Sequence, residues 1–320
     1  MKENKGLSSK EPAENITKPQ KFIPKKLFSM LCDAGRGFLM GVAFIIPGFS
    51  GGSVAAILGI YERLVNDIAD IFKSFKKSIL SLLPIAVGLV LGAVSLLYPL
   101  QFFLARYPLP TVSLFVGLAI GGIPSITSKL DKKPRPIHAL SFLIPFITAF
   151  SLSFIPTLAD RDLTNLTFVG CILLVIVGFV GSFALVIPGI SGSMLLLILG
   201  YYNPILTIIT EDVLSFRNLS GGLPVILLVA FGIAVGFIYV SKVMKLALNR
   251  CPYGTYIAIT GFIIGSLPTV YVSACKDAGY TASTIPQNPI FYLTCILFLV
   301  AGIAVSFSAV ILGKKAKSKT

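Results

Sequence analysis

Two stretches of the chain place serine among glycines directly after a proline: Pro47-Gly48-Phe49-Ser50-Gly51-Gly52-Ser53 and Pro188-Gly189-Ile190-Ser191-Gly192-Ser193. Two chemistries suit that pattern. One is nucleophilic. Gly48 to Gly52 satisfies G-x-S-x-G, which presents a serine hydroxyl on a sharp turn in many hydrolases. Such a serine needs a base within hydrogen-bonding reach; the only histidine is His138, beside a basic loop, and one base cannot serve two serines. The other chemistry is anion binding. Ser50 and Ser191 are natural N-cap residues ahead of new apolar runs. Free amides at a helix start attract anions, phosphate above all. The candidate ligands are then the amides of Ser50, Gly51, Gly52 and Ser53, and of Ser191, Gly192 and Ser193. A third reading gives the glycines no role beyond letting helices pack closely.

Charged residues in apolar surroundings are the next candidates. Arg36 lies about one turn inside the first apolar run. Glu62 and Arg63 follow Tyr61, whereas Asn203 and Pro204 follow Tyr202 at the corresponding place. The pair could act as a gate, an anion ligand or a proton site, or form an ion pair that snorkels to the surface. Glu62, Tyr61 and Tyr202 are therefore candidate gating or coupling residues. Arg106 and Arg250 recur at equivalent positions, either to receive phosphate at two mouths or as ordinary loop-end arginines. No His, Cys or carboxylate cluster has metal-ligand spacing, so neither a metal nor a cofactor is expected. The five cysteines form no C-x-x-C pair and read as packing residues.

The elements that must position these residues are apolar. The chain is 55% hydrophobic and 12% charged, with mean hydropathy +0.89, whereas soluble domains carry about 25% charged residues. A bilayer is the natural solvent, and about 20 apolar residues make one crossing. The net charge of +14 sits in tails and short loops between apolar runs. Membrane topology produces that pattern and nucleic-acid binding does not.

The chain is also duplicated. Pro47, Gly48, Ser50, Gly51, Gly59 and Tyr61 recur at a shift of 141 as Pro188, Gly189, Ser191, Gly192, Gly200 and Tyr202. Downstream, Pro84, Gly88, Gly92, Arg106 and Pro108 match Pro224, Gly232, Gly236, Arg250 and Pro252, and the run 117–124 matches 261–268. This predicts two membrane repeats, 30–158 and 159–312, between basic cytoplasmic tails at 1–29 and 313–320. Each repeat holds five apolar pieces: 34–46, 51–72, 79–104, 110–128 and 137–157, then 165–187, 192–210, 221–247, 253–271 and 288–312.

A Pro-Gly break within apolar sequence interrupts the helix. Reading the first two pieces of each repeat as a re-entrant hairpin leaves three full spans per repeat. All but Arg63, Arg106, Arg161, Arg217 and Lys276 of the 27 Lys and Arg then fall inside, as the positive-inside rule requires. An odd span count per repeat inverts the second against the first, and inverted repeats with broken helices mark alternating-access transport. The expected fold is all-α: a polytopic membrane protein with an inverted-topology repeat, two re-entrant helical hairpins and about six full spans. Irregular backbone at membrane depth must be covered, so the two breaks are expected to meet in the interior near the midplane.

The runs at 41–65 and 184–206, with their doubled Pro-Gly-x-Ser-Gly and following Ile-Leu-Gly-x-Tyr, resemble the signature of the bacterial PopT-type polyprenyl-phosphate transporters over about residues 30–312. The resemblance implies a flippase that returns undecaprenyl phosphate from the outer to the cytoplasmic leaflet of the bacterial plasma membrane. Its partners would be that lipid and the membrane, with no nucleic acid and with a homo-oligomer left open. In this reading the head group is held at Ser50–Ser53 and Ser191–Ser193, assisted by Arg36 or Arg63. A small-anion transporter or channel is the alternative, and an intramembrane serine hydrolase a more distant one. Ser193 stands where the first copy has Gly52, which makes the two sites unequal.

Overall fold

The computed structural model describes residues 25–45, 50–130, 135–152, 154–163, 166–190, 192–213, 216–280, 284–286 and 288–317. Pro47, Gly48 and Phe49 of the first break and Ser191 of the second lie outside them, as does most of the expected N-terminal tail. The described chain is helical: α1 (Lys25–Ile45), α2 (Gly51–Ile57), α3 (Tyr61–Ala69), α4 (Phe75–Arg106), α5 (Pro108–Thr127), α6 (Pro136–Leu152), α7 (Phe168–Val186), α8 (Gly192–Ile198), α9 (Tyr202–Thr207), α10 (Leu219–Arg250), α11 (Pro252–Asp277) and α12 (Pro289–Lys317). A π-helical turn, Ile208–Val213, extends α9.

Among the described residues six helices are long and apolar enough to cross a bilayer: α4, α5, α7, α10, α11 and α12. The number matches the expectation, but the membership differs. The second piece of sequence expected to enter only part-way, α7, is an uninterrupted 19-residue apolar helix. Conversely, α6, expected to be a full span, has 17 residues, about 25 Å at 1.5 Å per residue. Apolar run length alone could not separate the two, because the loop residues beyond α6 are themselves apolar. The centre is formed by α5 and α11, with 61% and 50% of their spans buried, against 11% for α12. The outer faces are apolar: Leu80, Leu83, Val87, Leu91 and Val94 make an exposed stripe along α4. In water such a stripe would be a liability; in lipid it is solvated.

The glycines explain the packing. A Cβ on Gly37 or Gly41 of α1 would collide with the carbonyls of Ile85 or Leu89 in α4, and one on Gly88 or Gly92 with those of Ala34 or Phe38. The second half repeats this with Gly178 against Val229, Gly232 against Val175, and Gly236 against Phe179. Two further pairs are exchanged between halves. Gly117 and Gly121 of α5 meet Leu299 and Ile303 of α12, while Gly261 and Gly265 of α11 meet Phe142 and Phe146 of α6. Small residues four apart let helix backbones touch, the main source of helix adhesion where no hydrophobic effect acts.

These contacts also fix direction. In all four pairs the residue numbers rise together, so α1 runs parallel to α4, α7 to α10, α5 to α12 and α6 to α11. Lys245, near the end of α10, bonds Asp70, which lies just before α4 begins. The end of α10 therefore lies beside the start of α4. Their exits are alike: Tyr107 and Cys251 share φ −135° with ψ 57° and 60°, and Pro108 and Pro252 open the next helix. A residue before proline is turned out of the helical region, and proline at the first helical position costs no hydrogen bond. Each short helix after a break ends on a left-handed glycine, Gly59 (φ 71°) or Gly200 (φ 74°). The amides of Ile60 and Tyr201 then reach back to the carbonyls of Ala55 and Leu196. That closure needs positive φ, which glycine adopts without strain.

Candidate functional site

The last turn of α7 is where the breaks meet. Pro188 has no amide proton, so the carbonyl of Ala184, four residues earlier, lacks its helical donor. The helix stops at Val186, whose carbonyl is orphaned as well. Both are answered from the first half. The Ser50 hydroxyl donates to the Ala184 oxygen at 3.4 Å, and the Tyr61 hydroxyl to the Val186 oxygen at 2.8 Å. Ser50 and Tyr61 are buried. Ser50 is also the N-cap of α2: its Oγ accepts from the Gly52 amide at 3.2 Å, and its carbonyl accepts from Ser53 at 3.0 Å. A Cβ on Gly52 would stand 3.5 Å from the Cα of Pro188, and one on Gly192 would stand 3.3 Å from the Cβ of Ala184. Both short helices thus start against one turn of α7, and the described parts of the two breaks touch, as expected. Gly51, Gly52 and Ser53 are buried in this arrangement.

The Ser50 hydroxyl is engaged by two backbone groups, Gly52 N–H and Ala184 C=O. His138 is occupied elsewhere, accepting from the Arg135 amide at 2.8 Å with its ring 4.3 Å from that of Tyr253.

The charges gather between α1, α3 and α4. Asp33, which the sequence did not single out, is 3% exposed. One carboxylate oxygen accepts from Arg36 at 2.9 Å and the other from Arg63 at 2.7 Å. Arg63 is held further by the hydroxyl and carbonyl of Ser81, at 2.9 and 3.1 Å, and lies 3.7 Å from Asp67. The Ser81 hydroxyl in turn donates to Asp67 at 2.5 Å. Arg36 and Arg63, expected as alternatives, are therefore brought together on one carboxylate.

Glu62 and Arg63 do not pair with each other. Neighbouring helix residues point about 100° apart, so Glu62 faces away and accepts from Lys129 at 3.0 Å, which also donates to Tyr256 at 2.7 Å. Asp70 is held by Lys245, and that hydrogen bond, followed by the charges of Lys245, Lys73 and Lys242, keeps its carboxyl below the usual carboxylate value. The Lys129–Tyr256 and Asp70–Lys245 contacts link the two halves. In the second half Asn203 donates to Asp160 at 3.2 Å, and Tyr202 is half-buried. Arg106 and Arg250 close α4 and α10 and are exposed. Arg106 is not gathered with the other arginines: it is roughly 37 Å along α4 from Ser81, at 1.5 Å per residue. The side chains of Ser191 and Ser193 lie outside the described residues.

Asp33 could have been suspected as a carboxylate inside apolar sequence, three residues before an arginine. Its partnership with Arg63, thirty residues away, has no signature in spacing. Lys129 and Tyr256 come from distant elements and are equally silent in the sequence.

No solved structure matches this chain. It is 31% identical over 281 residues to a polyprenyl-phosphate transporter of Staphylococcus aureus, covering 85% of this chain and 93% of that protein. It is 26% identical over 251 residues to a polyprenyl-phosphate transporter of Vibrio cholerae, covering 74% and 76%. The VCA0040-like family, described as undecaprenyl phosphate translocase-like, matches residues 40–287. With the doubled break, the all-helical frame and relatives aligned over most of the chain, the protein belongs to the VCA0040-like, undecaprenyl phosphate translocase-like family.

Proposed function

We propose that this protein carries a polyprenyl phosphate, undecaprenyl phosphate in the cell, from the outer to the cytoplasmic leaflet of the bacterial plasma membrane. Family membership supports the substrate class. The observation that carries the mechanism is the meeting of both helix starts on the last turn of α7, with Arg36 of α1 and Arg63 of α3 paired on Asp33. A lipid phosphate needs a polar path for its head group while the prenyl tail stays in lipid, and an apolar exterior around a polar interior offers both.

The transport cycle is alternating access between two inverted repeats. The parallel runs of α1 with α4 and of α7 with α10, and the meeting of the end of α10 with the start of α4, support that arrangement. A chain that enters along α1 and leaves along α4 in the same direction must come back between them, which supports a re-entrant hairpin at Pro47. On this reading α7 is the first arm of the second hairpin despite its length. Both termini are then cytoplasmic, together with Lys73, Lys129, Lys245 and Arg250.

The head group is received first at the Arg36–Arg63 pair, on the Arg36 side. It is then passed to the amides of Ser50, Gly51, Gly52 and Ser53 and of Ser191, Gly192 and Ser193, once the Ser50 and Tyr61 bonds to α7 break and Ser50 gives up its cap on the Gly52 amide. Arg106 and Arg250 attract it at the two mouths. Tyr61, with Tyr202 in the second repeat, is the gate, and Glu62 with Lys129 couples gate opening to the cytoplasmic side. No catalytic step is involved, since the Ser50 hydroxyl caps a helix and brackets α7. The test is surface exposure of undecaprenyl phosphate in cells that depend on this protein for carrier recycling. Depletion should raise the outward-facing lipid several-fold, and unchanged surface levels would sink the proposal.

A further inference from the structure

The two repeats contain an internal control for the charge cluster. At the shift that matches Gly37 to Gly178, Asp33 and Arg36 fall on Leu174 and Val177, and Asp67 falls on Ile208. Those three belong to a packed apolar cluster with Tyr201, Ile205 and Val225, and Leu174 is fully buried. The same place in the same fold is thus built once with charges and once without. Charges are not needed to hold α1 against α3 and α4, and an apolar replacement of a buried ion pair is often neutral or stabilising. A buried carboxylate held between two guanidiniums is costly to keep for packing alone.

The two arginines are also unequal. Arg63 spends Nε and both terminal nitrogens on Ser81 and Asp33, with Asp67 beside it. Arg36 makes one bond, to Asp33, and its side chain is 40% exposed. It keeps four unused donors. A carboxylate and a phosphate present guanidinium with the same pair of oxygens. Resting on the lipid-phosphate reading above, we infer that Asp33 is a resident counter-anion which a phosphate monoester displaces from Arg36. Arg36 is the mobile phosphate ligand, Arg63 the fixed anchor that keeps Asp33 paired when Arg36 leaves. Asp33 is a positioning residue: it lowers resting affinity, and it reclaims Arg36 so that the phosphate is released. The site is single, in the first repeat, because the second lacks every charge of the cluster.

The test is equilibrium binding of undecaprenyl phosphate to the full-length protein in nanodiscs, with undecaprenol and inorganic phosphate as parallel probes, alongside thermal melting. Asp33→Asn should bind undecaprenyl phosphate more tightly and move it more slowly, a split that a merely structural role would not produce. Arg36→Gln should bind it about ten- to a hundredfold more weakly, the loss expected for one charge-assisted hydrogen bond. The double variant Asp33→Leu/Arg36→Val copies the second repeat; it should melt at or above the wild-type temperature and lose binding. Weaker binding by Asp33→Asn, wild-type binding by Arg36→Gln, or failure of the double variant to fold would each overturn the inference. Wild-type protein that binds inorganic phosphate but not the lipid would overturn the lipid reading and leave the Arg36 exchange standing. Wild-type protein that binds neither would overturn both.

Discussion

At the scale of single residues, proline chemistry organises the site. Pro188 removes a donor, the helix ends, and two carbonyls are left for Ser50 and Tyr61 to satisfy. Both bonds are buried, and the Tyr61 contact is the shorter. Tyr61→Phe should therefore destabilise the protein by about 1–3 kcal/mol, the cost of leaving a buried carbonyl unpaired. Unfolding of purified protein in detergent would measure it, and a change below a few tenths of a kcal/mol would show that the bond holds nothing together. The role of Ser50 as a cap was legible, because serine before an apolar run is the usual cap signal. Its second bond, to Ala184, was not, since nothing local in the sequence says which carbonyl of the other repeat lies opposite. The separation of Glu62 from Arg63 was hidden for a related reason: adjacent letters suggest a pair, but a helix turns them to different partners.

At the scale of elements, the glycines carried most of the fold. Gly88 and Gly92 recur as Gly232 and Gly236, and both sets lie where backbone meets backbone. The duplication marked them before any helix was placed. Two neighbouring glycines of α1 provide a matched test. A Cβ on Gly35 meets nothing within 4 Å, while one on Gly37 collides with the Ile85 carbonyl. Gly35→Ala should be neutral or stabilise by up to about 1 kcal/mol through helix propensity. Gly37→Ala should cost about 1–3 kcal/mol by forcing α1 and α4 apart. Equal melting temperatures for the two variants would contradict the packing described for this pair. The spans were less legible. Hydrophobic length shows that a helix can cross, not that it does. α7 has the length to cross and α6 falls short of it, but length alone does not say which of them crosses.

At the scale of the whole molecule, two like halves are built around unlike sites. The frame is shared to the level of the Tyr107 and Cys251 corners and the Gly59 and Gly200 turns. Charge is not shared: the first half holds Asp33, Arg36 and Arg63 where the second is apolar. The alignment foreshadowed this at Glu62 and Arg63, which face Asn203 and Pro204, and at Gly52, which faces Ser193. The extent of the asymmetry appeared only when the helices placed Arg36 of α1 and Arg63 of α3 on one carboxylate, with Ser81 of α4 holding Arg63. The central claim is that this chain alone moves a lipid phosphate between leaflets. Purified protein reconstituted into liposomes with a labelled undecaprenyl phosphate tests it most directly, reading how fast the lipid becomes inaccessible to an enzyme added outside. Exchange well above that of protein-free liposomes is expected for the phosphate, and little for undecaprenol. Equal rates with and without protein would contradict it.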